Sequence, residues 1–440
     1  MSTRAKELDP RVHDSSGLEI EILESIIMAE ERFPVYTDKY WVTEHNFYPE
    51  VKSQFSLPKE VRIHDVTLRE AEQAPHVVLR PDEKIRIYEA LDELGVYSVE
   101  IFPIISEEDK ELAKELIKRK RKTKIYFLCR WFKEEVDFAL ECGADGVVVE
   151  GAGNTTFGKF VLNTSPDEMY KNFVDTTLHA TKNGLFTAVM PWDSNRGSIE
   201  FMERVYKGVV NEGGANHVVI ADTFGCALPQ ATTWYVRKLM EWVPGIPVEM
   251  HAHNDFGMAT SVMLSAVAAG ATGVHTSINS LGERAGNAAT DEVALGIELL
   301  LGMKTGLRLD LLYPVAQLVA ELTKIPIARN KPITGDNEFT CESGMVAYCI
   351  DKFAKNNVPS QAYNPTLIGR DGFNIILGKM SGAYSVAMKL DEAGIKATKD
   401  QVAEITELVK AEGSIRKWSL TQNDLKAIAA AYFAKQLVSR

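Results

Sequence analysis

The sequence has few cysteines, and none of them is arranged as a metal-binding or redox pair. Five cysteines occur in 440 residues, at positions 129, 142, 226, 341 and 349, and no two form a CxxC pair. An odd number of widely spaced cysteines argues against a disulfide framework and against a structural zinc site. We therefore expect a cytoplasmic protein.

The sequence also lacks long apolar runs and an excess of positive charge. No segment approaches the roughly 18 uncharged apolar residues of a membrane helix, and the N-terminus MSTRAKELDP lacks the apolar stretch of a signal peptide. The formal net charge is -12. We therefore expect neither nucleic acid nor a membrane as a partner, although a local basic pocket for the phosphates of an acyl-CoA is compatible with this charge.

What the sequence does contain is a regular alternation of short β-branched runs and amphipathic helical stretches. The first predicted helix begins near Pro81 and ends at Gly95, which is the usual placement of these two residue types. Eight such units in succession predict an α/β protein built on a closed (β/α)8 TIM barrel. The predicted strands span residues 61–65, 97–102, 124–129, 145–150, 185–190, 217–222, 247–253 and 272–277.

The alternative to a barrel is an open doubly wound sheet. That architecture usually carries a glycine-rich GxGxxG after its first strand, and the sequence has none there. We divide the chain into an N-terminal extension (1–60), a catalytic barrel (61–305), and a helical lid with the C-terminal region (306–440). The extension combines a helical stretch, 18–33, with an aromatic-rich piece, 36–51, which we expect to pack on the barrel or on a partner subunit.

Two histidines at the end of predicted strand 7 suggest a metal site. His251 and His253 are two residues apart, so their side chains leave a strand on the same side. Barrel closure places strands 7, 8 and 1 together, and Glu70 follows strand 1. A carboxylate with two imidazoles suits a divalent ion with open positions for substrate oxygens. The ordinary alternatives are two polar residues at a strand end and a surface pair of Arg69 with Glu70.

Other strand ends carry polar residues with a less specific signal. Arg69 could stabilise the charge of an enolate oxygen, and Arg130 could bind a substrate carboxylate as a fork. Asn287 is either a helix cap or a fourth metal ligand. For the remaining positions, ordinary hydrogen bonding within the barrel fits the sequence about as well as direct substrate contact. These positions are Gln73, Glu100, Asp193, Arg196, Asp222, Thr223 and, near the metal, Glu249.

Four segments that contain several of these residues resemble the signatures of a known family. HDVTLREAEQ (64–73), ADTFGCALP (221–229), HAHNDFG (251–257) and NSLGERAGNAA (279–289) are similar to motifs of the 2-isopropylmalate synthase and homocitrate synthase family. That family belongs to the metallolyase barrels that also include hydroxymethylglutaryl-CoA lyase. The four motifs occur in the family's order and cover most of residues 61–300.

The resemblance implies a reaction and a set of residue roles. An acyl-CoA, most simply acetyl-CoA, would condense with a 2-oxo acid in a Claisen-type reaction that gives a 2-hydroxy-2-alkyl dicarboxylate. A divalent metal ion (Mg, Mn or Zn) would be the cofactor. By carry-over, Glu70, His251, His253 and Asn287 bind the metal, Arg69 and Tyr363 are catalytic, and Gln73, Glu100, Arg130 and Thr223 contact substrate.

The sequence departs from the family in the lid. The family has a histidine-bearing FxHxSGIH motif there, whereas this chain has FTCESGMV (339–346), with Cys341 and Val346 in place of the histidines. None of the nine histidines lies beyond residue 275. Proton transfer still needs a group within hydrogen-bond reach. The candidates are Tyr363, Glu342, Cys341 and the barrel residue His76.

Two further hypotheses compete with a condensing enzyme. A carbon–carbon lyase or aldolase would use the same enolate, so a metal site does not separate the two directions. A non-catalytic binding protein is the third hypothesis, and the intact Arg69, Glu70, His251 and His253 argue against it. The aromatic extension and the helices after the barrel, together with the family's habit of lending its lid to a neighbour, predict a homodimer.

Overall fold

The centre of the molecule is a closed barrel of eight parallel strands. A computed structural model describes residues 33–119 and 121–438. Each strand pairs with the next one along the chain, and β1 pairs with β8, which closes the sheet. The predicted (β/α)8 barrel is therefore confirmed, and the open-sheet alternative is wrong. The strands are β1 Arg62–Asp65, β2 Ser98–Ile101, β3 Lys124–Arg130, β4 Gly146–Ala152, β5 Phe186–Trp192, β6 His217–Asp222, β7 Val248–Ala252 and β8 Gly273–Thr276.

A ring of helices surrounds the barrel, one after each strand. The first helix begins at Pro81 and ends at Leu94, and Gly95 follows it with φ 93°, a left-handed conformation that favours glycine. Among the described residues, no helix is both long enough and apolar enough to cross a membrane. The helices are α1 Pro81–Leu94, α2 Glu107–Lys118, α3 Lys133–Cys142, α4 Pro166–Lys182, α5 Ile199–Asn211, α6 Pro229–Trp242, α7 Ala259–Ala269 and α8 Thr290–Leu295.

Side chains alternate between the two faces of each barrel strand. Outward residues such as Val147 and Val149 of β4 join the large core between strands and helices. Inward residues such as Val148 of β4 and Met190 of β5 form a separate cluster inside the barrel. Because the period is two, polar residues at the carboxyl end of an inward row face the mouth of the barrel, where chemistry takes place in this fold.

The chain after the barrel is helical, with a small parallel sheet formed by β9 (Thr340–Cys341) and β10 (Asn374–Ile375). Residues of α9 join the barrel's core, whereas α11 to α13 form a second core of their own. Boundaries near residues 60 and 305 stay predictions. The helices of this part are α9 Leu312–Thr323, α10 Gly344–Lys355, α11 Ala383–Glu392, α12 Lys399–Arg416 and α13 Gln422–Val438.

The described part of the N-terminal extension packs on its own chain. The rings of Phe33 and Phe47 stack with centroids 4.8 Å apart. The Trp41 backbone N–H donates to the Ala362 carbonyl at 2.9 Å, which ties the extension to the region after the barrel. The predicted helical stretch 18–33 lies outside the described residues except for Phe33.

Candidate metal centre and active site

Glu70, His251 and His253 converge at the mouth of the barrel. Glu70 ends a short helix that follows β1, His251 lies in β7, and His253 comes just after it. The Nε2 atoms of His251 and His253 lie 3.8 and 4.0 Å from Oε1 of Glu70. These separations are too long for hydrogen bonds but suit atoms that share one ion at about 2.0–2.2 Å from each. All three side chains are buried.

The three side chains carry polar atoms that nothing else in the described chain satisfies. Oε2 of Glu70 and Nδ1 of both histidines are buried without a hydrogen-bond partner among the described residues. Burial lowers the pKa of His251 well below its usual value, and the neighbouring His253 and Arg69 lower it further. Burial also lowers the pKa of His253. Both imidazoles are therefore neutral near pH 7, the form that binds a metal.

Asn287 stands beside this trio, and the chain makes room for it. Its Nδ2 donates to the Leu281 carbonyl at 3.1 Å, which leaves the buried Oδ1 without a partner in the described chain. A Cβ atom on Gly282 would lie 2.1 Å from Asn287 Nδ2 and 3.0 Å from Glu70 Oε2, so only glycine allows this approach. Helix α8 begins at Thr290 with Ala289 as its cap residue, so Asn287 is not the cap. The geometry therefore suits Asn287 as a fourth ligand.

Among the residues that the structure describes, Arg69 is the one cationic side chain that lines the cavity above this trio. Its Nε donates to Oε1 of Glu100 at 2.6 Å, and its Nη1 contacts Glu70 and, at 3.3 Å, Oε1 of Gln73. Its Nη2 is buried and has no partner in the described part of the chain. Burial of the guanidinium opposes its charge, but Glu70 and Glu100 raise its pKa further above its usual value. Arg69 therefore keeps its charge and one free donor.

A cavity of about 170 Å³ opens directly over these groups. Gln73 and Thr223, both predicted to contact substrate, line it. The Thr223 hydroxyl accepts from the Asp193 backbone N–H at 2.9 Å, so its own proton is available to a ligand. The remaining lining residues, which the sequence did not single out as active-site groups, are Glu150, Met190, Trp192, Ala221 and Glu283.

Glu150 could have been found from the strand pattern. It lies two residues after Val148, an inward residue of β4, and therefore continues the same row towards the mouth. The sequence placed it at the end of a predicted strand, but no motif draws attention to it.

Besides Asn287, three predicted site residues are not among those that line the cavity. Glu100 lies behind Arg69, with Oε2 3.2 Å from Nε2 of His64. Arg130 bonds through Nε to Glu135 at 2.7 Å, and its side chain is 54% exposed. Tyr363 donates its hydroxyl to Glu338 at 2.9 Å. Direct substrate contact by these residues stays a prediction.

The candidates for the missing lid histidine are also held elsewhere in this chain. Cys341 contacts the Ser343 carbonyl through its thiol, and burial raises its pKa. Glu342 accepts from the Met380 backbone N–H at 2.7 Å. Burial and Glu338 raise the pKa of Tyr363 far above its usual value, which disfavours a phenolate. His76 does not line the cavity.

A second buried group of histidines and glutamates fills the barrel interior behind Arg69. Nδ1 of His64 lies 2.7 Å from the Ser98 hydroxyl, and Glu249 bridges Nδ1 of His217 at 2.6 Å and Nε2 of His275 at 3.1 Å. Glu249, expected near the metal, thus pairs with these two histidines. His64, Glu100 and His275 also have the composition of a metal site.

Comparison with known proteins places this site in a family. Residues 60–319 match the model of the family described as HMGL-like, and residues 333–417 match one described as homocitrate synthase post-HMGL domain-like. The chain belongs to the HMGL-like family. The family match spans all eight strands, and the second match covers the lid region with its altered histidine positions.

Curated relatives of this HMGL-like chain are named as condensing enzymes. It is 34% identical to homocitrate synthase AksA of Methanothermobacter thermautotrophicus over 84% of this chain and 93% of the relative. It is 35% identical to 2-isopropylmalate synthase of Methanocaldococcus jannaschii over 88% and 74% of the two chains. It is 36% identical to (R)-citramalate synthase CimA of the same organism over 84% and 74%.

Solved structures support the fold of this HMGL-like chain. The HMG-CoA lyase of Bacillus subtilis superposes with a TM-score of 0.57 at 22% identity, and the match covers 63% of this chain and 98% of that one. At this identity the likeness concerns the barrel and carries no argument about the reaction.

Proposed function

We propose that this chain is a metal-dependent synthase that condenses an acyl-CoA, most simply acetyl-CoA, with a 2-oxo acid. The product would be a 2-hydroxy-2-alkyl dicarboxylate of the homocitrate, isopropylmalate or citramalate kind. The observation that carries the proposal is the trio Glu70, His251 and His253, with its unpartnered buried atoms, at the mouth of the barrel. The names of the relatives, at 33–36% identity over most of the chain, support the reaction class.

The residues present fit a divalent ion. Two neutral imidazoles, one carboxylate and the Asn287 amide oxygen form a mixed nitrogen and oxygen set, which suits Zn, Mn or Mg. A divalent ion held there would polarise the carbonyl of the 2-oxo acid and neutralise charge that develops on its oxygen. The approach of both histidine Nε2 atoms to Glu70 without a hydrogen bond, together with the unpartnered oxygens of Glu70 and Asn287, favours this site over ordinary barrel hydrogen bonding.

The remaining lining groups suit the 2-oxo acid. The free Nη2 of Arg69 can donate to the oxygen on which negative charge develops, and such a donor in a buried site contributes several kcal/mol, about 2.7–4 in known cases. The Thr223 hydroxyl can donate to the substrate carboxylate. Glu100 would orient Arg69 through its Nε.

A carbon–carbon lyase is the alternative reaction on the same platform. No specific feature of the site favours it, because the enolate and its stabilising groups are shared by both directions. The relatives that match 84% and 88% of this chain carry synthase names, whereas the HMG-CoA lyase of Bacillus subtilis shares the fold at 22% identity. We therefore propose the condensing direction.

Thiol release from acetyl-CoA tests the proposal directly. The metal-loaded protein should release CoA with at least one of oxaloacetate, 2-oxoglutarate, pyruvate and 2-oxoisovalerate, and the best substrate names the synthase. Omission of the 2-oxo acid is the control. If no 2-oxo acid of the panel gives CoA release and the protein cleaves a hydroxyacyl-CoA, the proposed condensation is wrong and the lyase is favoured.

We further propose a cytoplasmic homodimer. The free state of all five cysteines is consistent with a reducing compartment. Helix α10, which begins within the altered lid motif, exposes Met345, Val346 and Tyr348 at 72%, 45% and 43%, an apolar surface that a second copy could cover. Mass measurement in solution at micromolar concentration checks the dimer, and a monomeric mass would contradict it.

A further inference from the structure

The cavity over the metal centre contains a carboxylate that the proposed function does not use. Glu150 lies at the carboxyl end of β4, paired in register with Arg130 of β3 and Met190 of β5. It lines the same 170 Å³ cavity as Arg69, Glu70, His251 and His253. Its carboxylate therefore faces the space in which substrate would bind.

The carboxylate of Glu150 is not engaged in holding the barrel together. It makes no hydrogen bond or ion pair with any residue that the structure describes, although Arg69 lies in the same cavity. Glu150 is half-buried, whereas Glu100 behind it is fully buried and is paired with Arg69 and His64, as carboxylates that serve only the fold normally are. An unpaired carboxylate aimed into a ligand cavity is the arrangement expected of a group that acts on the ligand.

The surroundings of Glu150 also suit proton transfer. Burial raises its pKa to about 7, Arg69 opposes this rise, and Glu100, Glu70 and Glu283 add to it. For Glu100, burial alone would raise the pKa, but Arg69 and His64 lower it to about 2. The pKa values of these two glutamates are thus shifted in opposite directions. Glu100 stays ionised, whereas Glu150 can exchange a proton near neutral pH.

We propose that Glu150 is the base that removes the α-proton of the acyl-CoA, in place of the histidine that the lid lacks. This inference rests on the proposed condensation. The C–H bond breaks, its electron pair becomes the enolate, and the proton passes to a Glu150 oxygen. The enolate carbon then bonds to the 2-oxo carbon, whose carbonyl electron pair moves to oxygen, that alkoxide takes up a proton from water, and Glu150 returns its proton to water. Water later cleaves the thioester to give the carboxylate and the thiol.

Other groups of the cavity are less suited to this step. The two histidines belong to the proposed metal set. Glu283, the other carboxylate without a ligand role, is bonded to Arg284 at 3.1 Å and its side chain is 50% exposed. It therefore resembles a surface ion pair, and it provides a matched carboxylate for comparison.

Hydrogen exchange at the acyl group tests the proposal without depending on carbon–carbon bond formation. The metal-loaded protein is incubated in D2O with acetyl-CoA, with and without the best 2-oxo acid, and deuterium in the acetyl group is measured by mass spectrometry. Glu150→Gln should slow exchange and thiol release by about 10²–10⁴-fold, the usual contribution of a general base. Glu150→Asp should restore part of the rate, and Glu283→Gln should lose far less than Glu150→Gln.

The pH dependence of kcat/KM distinguishes a base from a structural residue, because a purely structural role of Glu150 would leave it unchanged. In the unaltered protein, kcat/KM should rise with pH as Glu150 loses its proton, and Glu150→Gln should lack that limb. The charged groups that act on Glu150 are Arg69, Glu70, Glu100 and Glu283, and the imidazoles of His251 and His253 line the same cavity.

The outcomes separate the two proposals. Exchange in Glu150→Gln within about threefold of the unaltered protein would overturn the base, and so would a loss of rate that merely follows loss of bound metal. Glu150-dependent exchange without thiol release on any 2-oxo acid would overturn the condensation and leave the base standing.

Discussion

Two buried groups of histidine and glutamate lie one behind the other in this barrel, and they differ in how their polar atoms are satisfied. At the mouth, the imidazoles approach Glu70 only to 3.8 and 4.0 Å, and several atoms have no partner among the described residues. In the interior, His64, His217 and His275 reach their glutamates at 2.6–3.2 Å. The residue types are the same, but several polar atoms of the mouth group lack a partner, whereas the interior group is hydrogen-bonded within the barrel except for Nδ1 of His275.

The difference teaches that composition alone does not identify a metal site. Both sets contain three candidate ligands that lie close together. A buried polar atom without a partner costs about 1–3 kcal/mol, so a group that keeps several of them requires a ligand to offset that cost. In the interior set, Nδ1 of His275 is the one ligand atom without a partner among the described residues, whereas both nitrogens of His64 and both oxygens of Glu100 are bonded. We therefore assign the metal to the mouth alone.

Removal of a ligand at the mouth should give the largest effect. His253→Ala should lower metal affinity by more than about a hundredfold, because even the partners of metal ligands typically contribute 10–100-fold. Activity should fall with it, since the substrate carbonyl would lose its polarising ion. Metal content after dialysis, measured by elemental analysis, checks the prediction.

The matched control lies in the interior group. His64→Gln removes a histidine from the second candidate set while keeping a side chain that can hydrogen bond. It should retain about one ion per chain. Metal loss in His64→Gln together with retention in His253→Ala would invert the assignment.

The interior group should instead appear in the acid stability of the fold. Glu100 is fully buried, and its pKa is about 2 because Arg69 and His64 outweigh its burial. Its folded pKa lies below the unfolded value of about 4.3, so its contribution is present above that pH and is lost as pH falls towards 2. The shift corresponds to about 3 kcal/mol of unfolding free energy. Urea unfolding between pH 6 and pH 3 measures it.

Glu100→Gln provides the comparison for that measurement. The variant should be less stable at pH 6 and should lose less stability than the unaltered protein as the pH falls through 4. An identical pH dependence in the two proteins would show that other carboxylates dominate acid unfolding, contrary to this prediction.

A substitution at Gly282 tests whether Asn287 belongs to the metal site. A Cβ atom there would meet Asn287 and Glu70, so Gly282→Ala should displace the amide and lower metal affinity by about tenfold. Gly372→Ala is the matched control, because Gly372 also has a positive φ (132°) but its Cβ would have no neighbour within 4 Å. Equal metal affinity in the two variants would count against Asn287 as a ligand.

The sequence predicted the barrel and the convergence of Glu70, His251 and His253 because strand periodicity and barrel closure determine both. Eight strand–helix units specify closure, and the spacing of His251 and His253 places both rings on one face whatever their partners are. The polar partners of the interior histidines were harder to predict. His217 and His275 belong to different strands, and only the register of β6, β7 and β8 places both beside Glu249.

The sequence did not allow us to predict which of several possible partners a single polar side chain binds. Arg130 lies at the end of β3, where a substrate-binding role is reasonable, but Glu135 at the start of α3 competes for its guanidinium. Tyr363 likewise bonds to Glu338, which belongs to a turn before β9. These choices depend on the folded positions of residues in irregular segments, for which no periodicity exists.

Substitution of Arg130 should have the smallest effect, and it tests whether this side chain contacts the substrate. Its guanidinium is tied to Glu135 and more than half exposed, so Arg130→Ala should change the unfolding free energy by less than about 1 kcal/mol. If the guanidinium stays with Glu135 during turnover, KM for the 2-oxo acid should change less than about threefold. A rise of tenfold or more in that KM, with kcat preserved, would mean that Arg130 leaves Glu135 to bind the substrate carboxylate. Glu135→Gln, which frees the guanidinium, should then lower the same KM, whereas a bystander arginine would leave it unchanged.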